Sequence, residues 1–144
     1  MTASEVYETA SPEATEALGE ALSKGFKSGD VIALIGELGA GKTCFVRGAA
    51  KGIGAVSRVK SPSFTLVNIY EGGKFALYHL DLYRLSNADE FYNAGLEEYV
   101  YARGVCVIEW ADKVPALLKD CGVVIRFTHS GEKERVITVE RRDE

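Results

Sequence analysis

No apolar run in the chain approaches the roughly 20 residues that a membrane-spanning helix needs, so no helical membrane protein and no membrane partner are expected. The first residues, Met1-Thr2-Ala3-Ser4-Glu5, hold neither a basic region nor an apolar segment, which argues against a secretory signal peptide. Cysteine is scarce: Cys44, Cys106 and Cys121 are odd in number, widely spaced and never arranged as C-x-x-C. The two histidines, His79 and His129, are not near them in sequence, so reduced thiols in a cytoplasmic protein are the expectation. Repeats, low-complexity tracts and linkers are also missing, which leaves one domain over residues 1–144 with room for a substantial core. The net charge of −4 speaks against nonspecific nucleic-acid binding by the whole surface. Acidic residues are absent from one stretch, however. Between Leu38 and Tyr70 all the charges are basic: Lys42, Arg47, Lys51, Arg58 and Lys60. That stretch is either a solvated face or a contact surface for RNA or an acidic partner.

What is present is more specific. With 47% hydrophobic and 26% charged residues the composition is that of an ordinary globular protein. Gly36-Glu37-Leu38-Gly39-Ala40-Gly41-Lys42-Thr43 is a complete G-x-x-x-x-G-K-T phosphate-binding loop. Residues 31–35 before it form an unbroken apolar run, as a strand buried on both faces requires. Residues 42–51 after it contain no proline and place Phe45, Val46, Ala49 and Ala50 at helical spacing. Strand, glycine loop and helix in that order let backbone N–H groups of Gly36, Leu38, Gly39, Ala40 and Gly41 curl around phosphate oxygens, with the helix N-terminus adding partial positive charge. Lys42 is expected to reach the β- and γ-phosphates, and the Thr43 hydroxyl to ligate Mg²⁺.

Residues 6–9 suggest a short strand. Ser11 followed by Pro12 is an N-cap with proline at the first helical position, and Ala14, Leu18, Ala21 and Leu22 give that helix one apolar face ending near Gly25. Gly52-Ile53-Gly54 closes the loop helix, and residues 55–63 read as a connection. Residues 64–70 and 75–80 form a hairpin around the turn at 71–74. Residues 87–101 read as one helix, 104–108 as a buried strand, 113–119 as a short helix, and 123–128 with 136–140 as a closing hairpin. The expected fold is an α/β sandwich of the P-loop NTPase-like kind, with a mixed, mainly parallel central sheet and antiparallel edge hairpins.

A phosphate-loop enzyme needs an acid near Mg²⁺ and a group that orients the attacking water, both at the C-terminal ends of strands. Asp81 and Glu109 each end an apolar strand and are the candidates, with Lys42, for the catalytic set. The assignment adopted is Glu109 with Thr43 on Mg²⁺ and Asp81 on water or the metal shell; the reverse stays open. Ser61, Ser63 and Thr65 occupy the place of a γ-phosphate-sensing switch, or of a simple turn around Pro62. Trp110 either packs over the site or fills the core. His79 reads as a satisfied core residue rather than a general base.

Three functions compete: an ATPase that drives a partner, a small-molecule kinase, and a nucleotide-dependent binding module with negligible catalysis. No Asn-Lys-x-Asp guanine-reading motif occurs, which disfavours a GTPase. The eight arginines are scattered and leave no arginine-rich lid, which disfavours a kinase. No arginine finger stands out, so slow hydrolysis alone and stimulation by a partner fit best.

The loop motif, Ser61-Pro62-Ser63-Phe64-Thr65-Leu66-Val67, Tyr78-His79-Leu80-Asp81-Leu82-Tyr83-Arg84-Leu85 and Ile108-Glu109-Trp110 occur in an order and spacing that resembles the TsaE (YjeE) family, small bacterial ATPases of tRNA threonylcarbamoyladenosine biosynthesis. Serine at 63 stands where that family usually has threonine. The resemblance implies a cytoplasmic protein that binds ATP and Mg²⁺ and works with the TsaB–TsaD pair. That machinery modifies adenosine 37 of tRNA, with hydrolysis supporting repeated turnover. It further implies Thr43 and Glu109 as Mg²⁺ ligands, a role for Asp81 in hydrolysis, and the segment around Ser11 near the nucleotide base.

Overall fold

Burial on both faces explains why β2 (Val31–Ile35) is an uninterrupted apolar run. The computed structural model describes residues 2–37, 39–60 and 67–142, without the side chains of Thr2, Val59 and Lys60. Around β2 lie β6 (Val105–Glu109) and β7 (Val123–His129), both parallel to it, and β5 (Leu77–Asp81) runs parallel to β6. The outer strands are antiparallel: β8 (Arg135–Arg142) pairs β7, β1 (Thr2–Thr9) pairs β8, and β4 (Val67–Glu71) joins β5 to β3 (Ser57–Lys60). The order is β1-β8-β7-β2-β6-β5-β4-β3, a mixed sheet with a parallel centre and antiparallel edges.

Alternation along the strands feeds two cores. Ile32, Leu34, Val105 and Val107 face α1 (Pro12–Ser23) and α2 (Lys42–Gly52), where they meet Phe45, Val46 and Ala49. Ala33, Cys106, Ile108 and Val124 face α3 (Ala88–Asn93), α4 (Glu97–Val100) and α5 (Pro115–Asp120), meeting Phe91, Val100 and Leu117. Phe45 is fully buried and meets the Phe127 ring edge-on at 5.6 Å, worth about 0.5–1.5 kcal/mol beyond its area.

Local signals explain the helix bounds. The Ser11 hydroxyl accepts from the Ala14 N–H at 3.1 Å, and Pro12 needs no partner in the first turn. On α1, Glu16 receives both Arg47 and Lys51 of α2, which hold its carboxyl below the usual carboxylate range, Lys51 more than Arg47. Two of the bases of the acid-free stretch are thereby engaged within the chain. Burial pushes the Cys106 thiol up and the Cys121 thiol up to about 11, and all three cysteines are free.

Four expectations need correction. The connection at 55–63 contains β3, a four-residue edge strand of mostly polar residues. Strand β1 begins at Thr2 rather than Val6, because the whole segment pairs with β8. The single helix over 87–101 is two, interrupted at Gly95, whose φ of +73° breaks the helical path. Helix α5 starts at Pro115, preceded by a 3₁₀ turn at Ala111–Lys113. Leu38 and the segment with Ser61, Ser63 and Thr65 lie outside the described residues. No helix among the described residues is long and apolar enough to cross a membrane.

Candidate functional site

Parallel strands bring their C-terminal ends to one edge of the sheet, and helices that follow them begin there. The loop after β2 turns into α2 through Gly41, whose φ of +100° is left-handed and natural only for glycine. Among the described residues no side chain caps α2, which leaves the N–H groups of its first turn for an anion. Ala40 is fully buried and pins the loop floor, with its N–H donating to the Glu37 carbonyl at 3.1 Å.

Lys42, the first residue of α2, is only 4% exposed. Its Nζ donates to the Gly36 carbonyl at 2.6 Å, stands 3.7 Å from Glu109 Oε1 and lies 4.5 Å from the centre of the Trp110 ring. The ammonium thus has protein partners at the place where phosphate oxygens would serve it. Trp110 is the one non-glycine with positive φ among the described residues (φ 61°, ψ 37°), a conformation costing about 1–2 kcal/mol. Its ring packs against the core on the α5 side and against Tyr83 at 5.1 Å. It therefore does both things the sequence left open: it fills the core and covers Lys42.

In the parallel register Asp81 lies opposite Glu109, and Leu34 opposite Glu109 on the other side. Both carboxylates end their strands in the same row. Glu109 is 5% exposed and its Oε2 accepts from the His79 ring Nε2–H at 2.6 Å. Asp81 is half-buried, with Oδ1 accepting from the Tyr83 N–H at 3.0 Å. A cleft of about 230 Å³ is lined by Gly39, Gly41, Lys42, Thr43, Cys44, Asp81 and Glu109. Of the described candidates, Gly39, Gly41, Lys42, Thr43, Asp81 and Glu109 line it, and Ser11, Gly36 and Ala40 do not.

Thr43 is exposed at the start of α2, so one hydroxyl and two carboxylates share the cleft. That set suits Mg²⁺, a hard cation commonly held by one or two carboxylates together with phosphate oxygens. Among the described residues no three His, Cys, Asp or Glu side chains converge as an all-protein cage. The donors therefore fit a metal that arrives with phosphate.

Ser11 stands apart from this cleft, its hydroxyl spent on capping α1. The helix it starts nonetheless reaches the loop. A second cleft, about 90 Å³, is lined by Pro12, Thr15, Gly39, Gly41, Cys44, Lys133 and Arg135. Lys133 and Arg135 belong to the closing hairpin and carried no signal in the sequence beyond their charge. Arg135 Nη2 donates to the Gly39 carbonyl at 3.1 Å and so ties that hairpin to the loop. If a nucleoside diphosphate occupies the loop, Arg135→Ala should weaken its binding about fivefold, the effect of losing roughly 1 kcal/mol from an exposed charged hydrogen bond. Isothermal titration checks this, and an affinity within twofold of the parent would remove Arg135 from the site.

The family model described as "Threonylcarbamoyl adenosine biosynthesis protein TsaE" matches residues 9–137, from the end of β1 into β8. The chain belongs to the TsaE family. It is 41% identical over 132 residues to the tRNA threonylcarbamoyladenosine biosynthesis protein TsaE of Bacillus subtilis, covering 92% of this chain and 82% of that relative. The protein of the same description from Treponema pallidum is also 41% identical, over 129 residues, covering 90% of this chain and 95% of its own. The crystal structure of Bacillus subtilis YdiB superposes with a TM-score of 0.79 at 34% identity, covering 99% of this chain and 88% of that one. Membership of the TsaE family and the P-loop NTPase-like fold therefore stand, as the loop, Asp81 and Glu109-Trp110 motifs imply.

Proposed function

We propose that this TsaE-family chain binds and hydrolyses Mg-ATP at the cleft before α2, and works with the TsaB–TsaD pair in forming N6-threonylcarbamoyladenosine at position 37 of tRNA. The observation that carries the reading is the meeting of Lys42, Thr43, Asp81 and Glu109 at one helix N-terminus. In this reading the pathway comes from the family, and the reaction from the residues. The chain's place is the cytoplasm, with tRNA met indirectly or transiently.

The residues divide the work. Amides of the first turn of α2 and Lys42 bind the β- and γ-phosphates, so Lys42 exchanges the Gly36 carbonyl for phosphate oxygens. Thr43 and Glu109 hold Mg²⁺, which when bound offsets the negative charge that phosphoryl transfer concentrates on the leaving and transferring oxygens. Asp81 keeps one carboxylate oxygen clear of the Tyr83 amide and orients the attacking water. Pro12, Thr15 and Arg135 border the base and ribose. Lys42 is the sole cation in the lining of the 230 Å³ cleft among the described residues. No arginine lines that cleft among the described residues, so hydrolysis by the chain alone is slow and a partner that adds charge or order speeds it.

Phosphate release measured alone and with TsaB–TsaD, with and without tRNA, tests this. Stimulation by the pair is expected. Label passing from the γ-phosphate to a small molecule would replace the reading with a kinase, and neither release nor transfer would leave a binding module. The two acids separate in the same assay. Asp81→Asn should lower turnover about 10²-fold at saturating Mg²⁺, whereas Glu109→Gln should also raise the Mg²⁺ concentration needed. The reverse pattern would exchange their roles.

A further inference from the structure

We propose that His79 is a positioning residue of this site: its ring aims the Glu109 carboxylate, and its loss misplaces that acid without touching nucleotide. The proposal rests on the reading of Glu109 as a Mg²⁺ ligand given above. Residues 77, 79 and 81 of β5 share one face, as do 105, 107 and 109 of β6. That face is the one covered by α1 and α2, since Leu77, Val105 and Val107 all pack there. Asp81 pairs with Glu109 and His79 with Val107, so His79 stands one row behind the two acids and diagonal to Glu109.

From that row the imidazole Nε2–H reaches Glu109 Oε2 at 2.6 Å, with His79 6% and Glu109 5% exposed. A carboxylate only accepts, which fixes the proton on Nε2 in this contact. The other oxygen, Oε1, remains toward Lys42 at 3.7 Å. A glutamate has three rotatable side-chain bonds, and at a strand end only packing and hydrogen bonds restrict them. His79 engages one oxygen from the β5 side and thereby directs the other to the cleft. Buried polar groups of this kind act as the outer shell of a site, and removing such a partner typically costs about 10–100-fold in metal affinity or activity. A histidine that merely filled the core would need an acceptor somewhere; here its acceptor is an acid of the site itself.

The test compares two amides. Glutamine can carry its Nε2 about as far as the imidazole Nε2, whereas asparagine stops short near the position of Nδ1. ADP affinity is measured by titration with and without Mg²⁺, and the ratio gives the gain that Mg²⁺ brings; phosphate release is measured in parallel. His79→Asn should reduce the Mg²⁺-dependent gain and the turnover by about 10–100-fold, with Mg²⁺-free ADP affinity within threefold of the parent. His79→Gln should restore both to within about threefold. In a Glu109→Gln background the two His79 variants should differ from it by less than twofold, because the carboxylate they act through is gone. Equal behaviour of the Asn and Gln variants, or a loss that persists without Glu109, would overturn the proposal. If Glu109→Gln alone leaves the Mg²⁺-dependent gain intact, the reading of Glu109 as a metal ligand falls first, and the assignment of His79 falls with it.

Discussion

Replacing Lys42 with methionine is expected to lower ATP turnover by about 10²–10³-fold while the free chain stays folded. The activity loss follows from where the ammonium sits. Lys42 opens α2 and is the cation of the cleft that also holds Thr43, Asp81 and Glu109. A preorganised donor aimed at developing charge is commonly worth about 3–4 kcal/mol of barrier, which is the factor stated. Stability has to be argued separately, because Lys42 and Glu109 are both buried. Removing one partner of a buried ion pair costs about 3–5 kcal/mol when the other charge is left alone. Glu109 is not left alone, since His79 Nε2 remains 2.6 Å from its Oε2. The methionine stem also keeps the packing against Trp110, and the desolvation cost of the ammonium is removed. The net change is expected within about 1 kcal/mol, a few degrees in Tm. Phosphate release and thermal unfolding on the same sample check both halves. Unchanged hydrolysis would sink the assignment of the loop.

The site could be read from the sequence as far as it is local, and no further. The G-x-x-x-x-G-K-T loop spans eight neighbouring residues, and its chemistry depends on a strand before and a helix after, both adjacent in sequence. Asp81 and Glu109 could be placed because each terminates its own apolar run. Their pairing across β5 and β6 could not, since register between parallel strands joined by a long crossover has no local signature. The same gap hid the His79–Glu109 contact. One clue was available: His79 and Asp81 are two apart in a strand and must share a face. Arg135 lies 96 positions from Gly39, and nothing local links a hairpin base to a loop carbonyl. Among the elements, β3 was missed because an edge strand is short and polar by need, so it resembles a connection. The break at Gly95 was missed because one glycine in a charged, weakly periodic segment gives little contrast between one helix and two.

The largest loss of stability is expected from a single methyl group. Helices α1 and α2 cross so closely that a Cβ at Gly48 would lie 1.8 Å from the Glu16 carbonyl oxygen, one at Gly19 2.2 Å from that of Phe45, and one at Gly52 2.3 Å from that of Glu20. In each case backbone stands in the way, joined at Gly52 by the Ser23 hydroxyl, and backbone cannot rotate away as a side chain can. Gly48→Ala would normally gain about 1 kcal/mol from helix propensity alone. Here the two helices must separate, and overpacking of this severity lies at or beyond the usual cost of about 1–3 kcal/mol. Strain wins, and Tm should fall by roughly 10 °C. Gly122→Ala is the control, because nothing lies within 4 Å of its added Cβ, and Tm should move by about 2 °C at most. The consequence reaches the cleft through geometry. Helix α2 carries Lys42 and Thr43 at its N-terminus, while Asp81 and Glu109 are fixed on the sheet. Pushing α2 off α1 therefore moves two members of the site against the other two, and a misplacement of about 1 Å can cost 10²-fold in rate. Gly48→Ala assayed well below its own Tm should accordingly turn over ATP far more slowly than the Gly122 control. A Tm within 2 °C of the parent would show that the helices can part freely, and that their close crossing does not hold the phosphate loop in register with the acids.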